Sequence, residues 1–187
     1  RKLGGGEYGR VLVGTFGGRD VVVKQNVNVT MREDVNETIM QTRLYCYVRD
    51  LRRDMRDVAR IPEAVFTASI PGFGRVLGME QVDAPLLKHV QQIKTSTAQI
   101  KWLRDALAKV CRLLVLLQDR LSFVHGDLHG ENVMVRGGDV FLIDFGMASA
   151  CFGGRPRMLT SERYKGVNFH PHLDLLTLFT DRKASCR

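Results

Sequence analysis

Short apolar runs separated by glycine dominate the N-terminal part of the chain. Val11-Leu12-Val13 and Val21-Val22-Val23 lie on either side of Gly17-Gly18. β-Branched runs around such a turn are typical of a β-hairpin. Two later runs, Val65-Phe66 and Arg75-Val76-Leu77-Gly78-Met79, predict further short strands.

One helical pattern interrupts these strands. Over residues 32–51, apolar side chains recur at three- and four-residue steps and share one face: Met40, Leu44, Tyr47, Val48 and Leu51. Glu33 and Glu37 precede them on nearly the same stripe. Glu37 lies closer to the apolar residues and is our first candidate for the carboxylate of this helix that pairs with Lys24. Glu33 is the alternative.

Helical spacing dominates the second part of the chain. Pro85 opens a short helix over residues 86–93, and a serine or threonine within residues 94–97 is placed to cap the next helix. That helix is predicted from Ala98 to Leu121, because its apolar residues form one stripe. The stripe consists of Ile100, Leu103, Leu107, Val110, Leu114, Leu117 and Leu121.

A second hairpin follows the long helix. Its strands, Val133-Met134-Val135 and Phe141-Leu142-Ile143, are joined by Gly137-Gly138. The residues beyond this hairpin have little periodicity until Leu173 to Leu178, which predicts a final helix.

These elements predict an α+β protein of two lobes. The boundary lies near Gln81 to Asp83, with a β-rich lobe over residues 1–82 and an α-rich lobe over residues 83–187. Because ligand clefts occur preferentially between such units, we expect a ligand to lie between the lobes.

The chain is basic, with a net charge of +8 for 187 residues and a pI of about 9.6. This balance favours anionic partners: nucleotides, acidic peptides, nucleic acid or anionic surfaces. The basic residues are scattered, apart from loose groups over residues 49–60 and 155–165. No arginine-rich or aromatic-interleaved tract is present. Nucleic acid therefore remains an open partner that no motif indicates.

The four cysteines are far apart, with no CxxC pair: Cys46, Cys111, Cys151 and Cys186. This spacing argues against a disulfide framework and favours a reducing intracellular compartment, the cytoplasm or nucleus. No run of about eighteen apolar residues predicts a membrane span. The chain begins at Arg1 rather than Met, so we expect a fragment or a trimmed domain.

A glycine-rich turn lies at the start of the chain, as Gly4-x-Gly6-x-x-Gly9-x-Val11. Glycine lets backbone N–H groups approach phosphate oxygens, which a side chain would keep away. Val11-Leu12-Val13 continues as a strand, whereas a dinucleotide fingerprint needs a helix to start there. An ordinary hairpin turn has the same pattern.

Polar residues follow the strands in a specific order. Lys24 ends the second strand, Asp127 and Asn132 lie in the loop before the second hairpin, and Asp144-Phe145-Gly146 follows that hairpin. Carboxylate and amide oxygens are the ligands that Mg²⁺ prefers, and lysine is a common phosphate ligand. The combination predicts a site for a nucleotide and its metal ion.

In this order and spacing, the motifs resemble those of the eukaryotic-type protein kinase superfamily over residues 3–146. The short format is similar to the compact kinase of the tRNA-modifying KEOPS complex and to some viral kinases. The resemblance implies a two-lobed kinase-like fold that binds ATP and Mg²⁺. Residues 1–82 would carry the glycine loop, the β3 lysine, the αC helix and the hinge. Residues 83–187 would carry the catalytic loop, the Asp-Phe-Gly motif and a shortened activation segment within a truncated C-lobe.

The resemblance also implies a role for each polar residue. Lys24, held by Glu37, would bind the α- and β-phosphates, and Asp127 would accept the proton of the attacking hydroxyl. Asn132 and Asp144 would hold Mg²⁺. The residues implied to surround the nucleotide are the glycines Gly4, Gly6 and Gly9, the gatekeeper Met79, the hinge residues Glu80 and Val82, and the apolar walls Leu3, Val11, Val22 and Met134.

Three departures from the family pattern stand out. Gly126 replaces the arginine that normally pairs with a phosphorylated activation loop, and His129 replaces the usual lysine. No Ala-Pro-Glu ends the activation segment. The segment His170-Pro171-His172-Leu173-Asp174-Leu175 stands near that place, and Asp174 is implied to brace the catalytic loop. His125 is implied to brace the loop that carries the metal-binding aspartate.

The first hypothesis is a protein kinase that transfers the γ-phosphoryl group of ATP to Ser/Thr hydroxyls, with acidic proteins as one class of substrate. It would act inside the cell, or in the host cell if the chain is viral. The alternative is a small-molecule phosphotransferase, because aminoglycoside and choline kinase-like enzymes also have the loop pattern His-Gly-Asp-Leu-His-x-x-Asn. The full glycine loop and Asp144-Phe145-Gly146 favour the protein kinase. A catalytically weak pseudokinase scaffold is the third hypothesis; the complete set of site residues argues against it, and the short C-terminal part argues for it.

Overall fold

The strands of the N-terminal part form one antiparallel sheet. The computed structural model describes residues 2–6, 9–27, 30–53, 55, 57–72, 74–153, 158–160, 174–175 and 177–178. The five strands are β1 (Lys2–Gly6), β2 (Gly9–Phe16), β3 (Arg19–Asn26), β4 (Ala64–Ile70) and β5 (Gly74–Glu80), in the order β1-β2-β3-β5-β4. Gly17 and Gly18 turn the chain between β2 and β3 with φ of 58° and 75°. Two positive φ values in succession are why glycine is needed in this hairpin.

Helix α1 (Met31–Leu51) connects β3 to β4. It begins with a capping box, in which the Thr30 hydroxyl accepts from the Glu33 N–H and the Glu33 carboxylate accepts from the Thr30 N–H. The predicted helix is therefore confirmed, with its start one residue earlier. Its buried residues are Glu33, Glu37, Met40, Gln41, Leu44 and Val48, whereas Tyr47 and Leu51 are only partly buried.

The second part of the fold is mainly helical. Its elements are β6 (Ala84–Pro85), α2 (Leu86–Gln91), α3 (Ser96–Leu121), β7 (Val133–Arg136), β8 (Asp139–Leu142), β9 (Ser149–Ala150) and β10 (Met158–Leu159). Strands β6, β7 and β8 form a small sheet in that order, and β9 pairs with β10. A β-sheet region followed by a helical part confirms the predicted α+β class and is consistent with a kinase-like fold.

Helix α3 supplies the centre of the hydrophobic core. Thr95 caps its start, and Ser122, with φ of 46°, ends it in a left-handed conformation. The buried residues of α3 are Ala106, Val110, Leu113, Leu114, Leu117 and Leu121. They belong to one cluster with Met40, Leu44 and Val48 of α1 and with Phe123, Leu128 and Phe145. Helices α1 and α3 therefore contribute to the same hydrophobic core.

Some predictions differ from the structure. Ile100 is 68% exposed, so its place in the buried stripe was wrong. The neighbouring Trp102 makes the contact with α2 instead, with its ring centroid 4.6 Å from that of His89. The strands β6, β9 and β10 were not predicted, because two residues carry no periodicity.

The predicted final helix lies partly outside the described residues. The described residues of that segment, 174–175 and 177–178, are helical. Residues 170–173 lie outside the described part, as does most of the basic group over residues 155–165. Among the described residues, no helix is long and apolar enough to span a membrane.

Candidate active site

Lys24, Glu37 and Asp144 meet between the two parts of the fold. Lys24 Nζ lies 2.7 Å from Glu37 Oε1 and 2.8 Å from Asp144 Oδ1. The residues come from β3, α1 and the loop after β8. The side chains of Lys24 and Glu37 are 14% and 9% exposed, and that of Asp144 is 43% exposed. A ligand can therefore reach this cluster from the Asp144 side.

One cation faces two carboxylates in this cluster, and their attraction sets the charge states. Burial alone would lower the pKa of Lys24, but the charges of Glu37 and Asp144 outweigh it and raise that pKa. Burial would raise the pKa of Asp144, but the charge and hydrogen bond of Lys24 lower it. At neutral pH, Lys24 is therefore a cation and Asp144 is an anion.

Glu37, and not Glu33, contacts Lys24. The Glu33 carboxylate is occupied by the helix cap, where it accepts from the Thr30 N–H at 2.9 Å. The sequence carried a signal for this division, because Thr30-x-x-Glu33 is the pattern of a capping box. Glu33 therefore serves the helix cap, whereas Glu37, one turn later, contacts the lysine on the preceding strand.

The β7–β8 hairpin brings Asn132 and Asp144 to one end. Asn132 directly precedes β7, and Asp144 follows β8 after a single residue, Ile143. The Ile143 N–H donates to the Asn132 carbonyl at 3.0 Å. Asp144 has a φ of 63°, a strained value for a non-glycine residue of the kind that clusters at functional sites.

Asp127 lies on the loop that ends at Asn132. Asn132 Nδ2 donates to the Asp127 carbonyl at 2.8 Å, which ties the two residues together. No described residue donates to Asn132 Oδ1, so that oxygen is available to a cation. The Asp127 side chain is 35% exposed, and His129 Nε2 lies 3.7 Å from its Oδ2.

Gly126 occupies a position that excludes the usual arginine. Its φ is 81°, and an added Cβ would lie 2.5 Å from the Met147 carbonyl oxygen. The N–H groups of His125 and Gly126 donate to the Asp174 carboxylate at 2.7 and 2.9 Å. The His125 ring Nε2 lies 3.0 Å from the Ile143 carbonyl. Through the hydrogen bonds from the two N–H groups, the buried Asp174 side chain braces the loop. Burial raises the pKa of Asp174, although His125 has the opposite effect.

Three of the residues predicted to surround a base, Val11, Val22 and Met79, share the Lys24 face of the sheet. Val11 lies opposite Lys24, and Val22 lies opposite Met79 in the strand register. Val22 and Lys24 are two apart on β3 and therefore point to the same side. All three apolar residues, and Met134 on β7, are half-buried, as expected for the walls of an open cleft.

The predicted hinge and glycine loop are placed only in part. The Glu80 N–H donates to the Glu63 carbonyl at 2.9 Å, so it is not available to a ligand. The N–H of the buried Val82 has no acceptor among the described residues. Gly6 pairs with Gly9 across β1 and β2, and Gly4 pairs with Val11. Residues 7–8 and the Leu3 side chain lie outside the described part.

Asn26 belongs to the site although the sequence did not single it out. Its Nδ2 donates to Glu37 Oε2 at 2.8 Å. The available signal was its spacing: Asn26 is two residues after Lys24, so the two side chains lie on the same side of β3.

Comparison with known proteins agrees with the chemistry of this site. Residues 47–150, more than half of the chain, match the phosphotransferase enzyme family. The matched segment contains Asp127, Asn132 and Asp144, whereas Lys24 precedes it. No curated protein sequence matches the chain. The extent of the family match shows that the chain belongs to the phosphotransferase enzyme family.

Proposed function

We propose that the protein transfers the γ-phosphoryl group of ATP to a hydroxyl group, with Mg²⁺ bound to the nucleotide. The observation that carries this proposal is the position of Lys24 Nζ, 2.7 Å from Glu37 and 2.8 Å from Asp144. A cation held by a helix glutamate, next to a metal-binding aspartate, is how kinase-like enzymes bind ATP phosphates. The family match supports phosphoryl transfer independently, because it does not include Lys24.

Asn132 and Asp144 fit Mg²⁺. Both offer hard oxygen ligands, and the Asn132 amide is oriented by its bond to the Asp127 carbonyl. Within the described part of the chain, no group of three His, Cys, Asp or Glu residues could hold a metal ion. Mg²⁺ commonly uses one or two protein ligands with substrate phosphates and water, so the two residues suffice. When bound, Mg²⁺ would offset negative charge on the phosphate oxygens.

Each of the remaining residues has a separate task in the proposed reaction. Lys24 holds the α- and β-phosphates, and Glu37 keeps its ammonium group in place. The Val82 N–H offers a hydrogen bond to the base. The Asp127 carboxylate orients the acceptor hydroxyl and takes its proton as the new O–P bond forms and the bond from the γ-phosphorus to the bridging oxygen breaks, which releases ADP.

Two classes of acceptor fit this chemistry, and the loop around Gly126 favours a small-molecule hydroxyl. A side chain at position 126 would collide with Met147, so this loop cannot carry the arginine with which protein kinases grip an activation-loop phosphate. A protein Ser/Thr hydroxyl is the second candidate, supported by the glycine hairpin and by Asp144-Phe145-Gly146.

The test uses radiolabelled ATP with four acceptors: an aminoglycoside, choline, a basic protein and an acidic protein. We expect label on one class of acceptor with the intact chain. Asp127→Asn should leave the Kd for ATP nearly unchanged and lower kcat by about a hundredfold or more, the range for loss of a positioned base. If Asp127→Asn instead raises the Kd for ATP and leaves kcat at saturating ATP unchanged, Asp127 has a structural role.

A further inference from the structure

The two carboxylate oxygens of Glu37 are held by two different residues of β3. Oε1 accepts from Lys24 Nζ at 2.7 Å, and Oε2 accepts from Asn26 Nδ2 at 2.8 Å. Because Lys24 and Asn26 are two apart on a strand, they approach the carboxylate from the same side of the sheet. Asn26 thus holds the oxygen that Lys24 does not.

The Asn26 amide also separates two carboxylates. Its Nδ2 donates to Asp34 Oδ1 at 2.9 Å, and an amide NH₂ group has one hydrogen for each acceptor. Asp34 and Glu37 are three residues apart on α1, so their side chains are neighbours on the helix surface. The other Asp34 oxygen lies 3.8 Å from Arg75 Nε on β5. Without Asn26, two like charges would face each other with no donor between them.

Glu37 has little freedom to relax if this donor is removed. A Cβ added at Gly146 would lie 3.6 Å from Glu37 Oε2, which places the backbone of the Asp-Phe-Gly motif close to the same oxygen. The Glu37 side chain is 9% exposed, so water cannot freely replace the Asn26 hydrogen bond. Repulsion from Asp34 would therefore move Glu37 or the first turns of α1.

We infer that Asn26 is a positioning residue for phosphate binding, which holds Glu37 on Lys24 and shields Glu37 from Asp34. The inference rests on the proposed function, because it assigns the phosphate contact to Lys24. Asn26 acts through Glu37 and touches no reacting group. Its removal should weaken ATP binding while leaving the proton transfer at Asp127 in place.

A double-mutant cycle on ATP binding tests this role. The proteins are the wild type, Asn26→Ala, Glu37→Ala and the double variant, with Kd for ATP, KM and kcat measured for each. Asn26→Ala should raise the Kd for ATP by about tenfold, as expected for a lost hydrogen bond to a charged group. In the Glu37→Ala background, the same change should have almost no effect, because the residue through which Asn26 acts is gone.

Asn36→Ala is the matched control. Asn36 directly precedes Glu37 on α1, but its Nδ2 donates to the Leu159 carbonyl at 3.1 Å. Removing this amide should leave the Kd for ATP unchanged. Asn26→Asp should raise that Kd more than Asn26→Ala does, because it adds a third carboxylate where a donor is required.

The outcomes separate this inference from the proposed function. Wild-type protein that binds no ATP would overturn the proposed function. ATP binding that is unaffected by Asn26→Ala, or effects of Asn26→Ala and Glu37→Ala that simply add, would overturn the role of Asn26 alone. Circular dichroism checks the fold of each variant, and Asn26→Ser, which keeps one donor hydrogen, replaces Asn26→Ala in the cycle if the latter does not fold.

Discussion

Helices α1 and α3 are the two long helices of the described residues, and they bury different types of side chain. Helix α3 buries only apolar side chains along its 26 residues. Helix α1, with 21 residues, buries the apolar residues Met40, Leu44 and Val48, but it also buries Glu33, Glu37 and Gln41. Burial of a polar group is costly unless it is hydrogen-bonded or paired. The polar residues on the buried face of α1 therefore show where the helix serves the site as well as the core.

Each buried polar residue of α1 has a specific partner. Glu33 caps the helix with Thr30, Glu37 binds Lys24, and Gln41 Nε2 donates to the Pro62 carbonyl at 2.5 Å. Helix α3 has no such residue among those it buries. We therefore expect substitutions in α3 to affect the free energy of unfolding, and substitutions at the Glu37 end of α1 to affect phosphoryl transfer.

The largest effect should come from the cation that Glu37 holds. Lys24→Met should abolish phosphoryl transfer, and Asp144→Ala should do the same, because the phosphate and metal contacts are lost. A loss of about a hundredfold or more is in the range for removing one electrostatic contact in an active site. Circular dichroism should show that the fold persists. Lys101→Met, at an exposed position of α3, is the control, and full activity in Lys24→Met would remove the kinase-like assignment.

The reverse pattern is expected for the core of α3. Leu114 is fully buried, so Leu114→Ala should lower the free energy of unfolding by about 2–5 kcal/mol through lost burial and the cavity left behind. Urea unfolding measures this change. At a temperature where the variant is folded, its kcat should equal that of the wild type. A fall in kcat as large as that of Lys24→Met would contradict the division between the two helices.

A substitution at Gln41 tests the middle of α1, between Glu37 at the site and the apolar residues Leu44 and Val48 of the core. Gln41→Leu puts an apolar side chain of similar size in the same place and leaves the Pro62 carbonyl without its donor, at a cost of about 1–3 kcal/mol. Its Kd for ATP should be unchanged. A weaker Kd would show that the part of α1 that serves the nucleotide extends one turn beyond Glu37.

The sequence predicts features that depend on neighbouring residues better than contacts between residues far apart in the chain. The long helices depend on local spacing and were predicted within two residues of their observed bounds. The two glycine-turn hairpins were predicted in the right places, but the strands of the first are longer than predicted. The β7–β8 hairpin also explains why Asn132 and Asp144, separated along the chain, lie together, since hairpin strands place their ends side by side.

Contacts between distant elements were harder to predict. The link from Asn26 to Glu37 depends on the position of α1 above β3, and the β9–β10 pair depends on a return of the chain that no periodic pattern records. Ile100 was placed in the core because helical spacing defines a stripe but not where the neighbouring helix ends. The roles of the glycine loop and of the hinge remain predictions.

A smaller effect is expected from pH, through the Lys24–Asp144 pair. The pKa of Asp144 is lowered in the folded protein, so its contribution to stability is complete above the unfolded pKa, about 3.9. It is lost as the pH falls through the lowered folded value. The difference in Tm between wild type and Lys24→Met should therefore shrink as the pH falls below about 4. The difference between wild type and Lys101→Met should not depend on pH, and a Lys24→Met difference that grows in acid would contradict the pairing.

The smallest effect should come from dephosphorylation. This treatment tests whether the Lys24–Glu37 pair supports activity without a phosphate elsewhere on the chain. The Lys24–Glu37 pair is formed, and position 126 has no room for a side chain that could grip a phosphate. Thr160 is 1% exposed, so it is not accessible to a modifying enzyme. Phosphatase treatment should therefore leave the rate within about twofold, because no charge-assisted bond is broken.

The opposite outcome has a specific form. Ser161 and Tyr164 lie outside the described residues, and either one offers a hydroxyl that could be phosphorylated. A large fall in rate on dephosphorylation, restored by Ser161→Glu, would show that another cation, such as Arg155 or Arg163, binds the phosphate in place of an arginine at position 126. The Lys24–Glu37 pair would then depend on a phosphorylated segment for its position, as it does in kinases whose activation loop orders the helix. An unchanged rate would mean that the buried carboxylate of α1, held by β3, is sufficient to keep Lys24 in place.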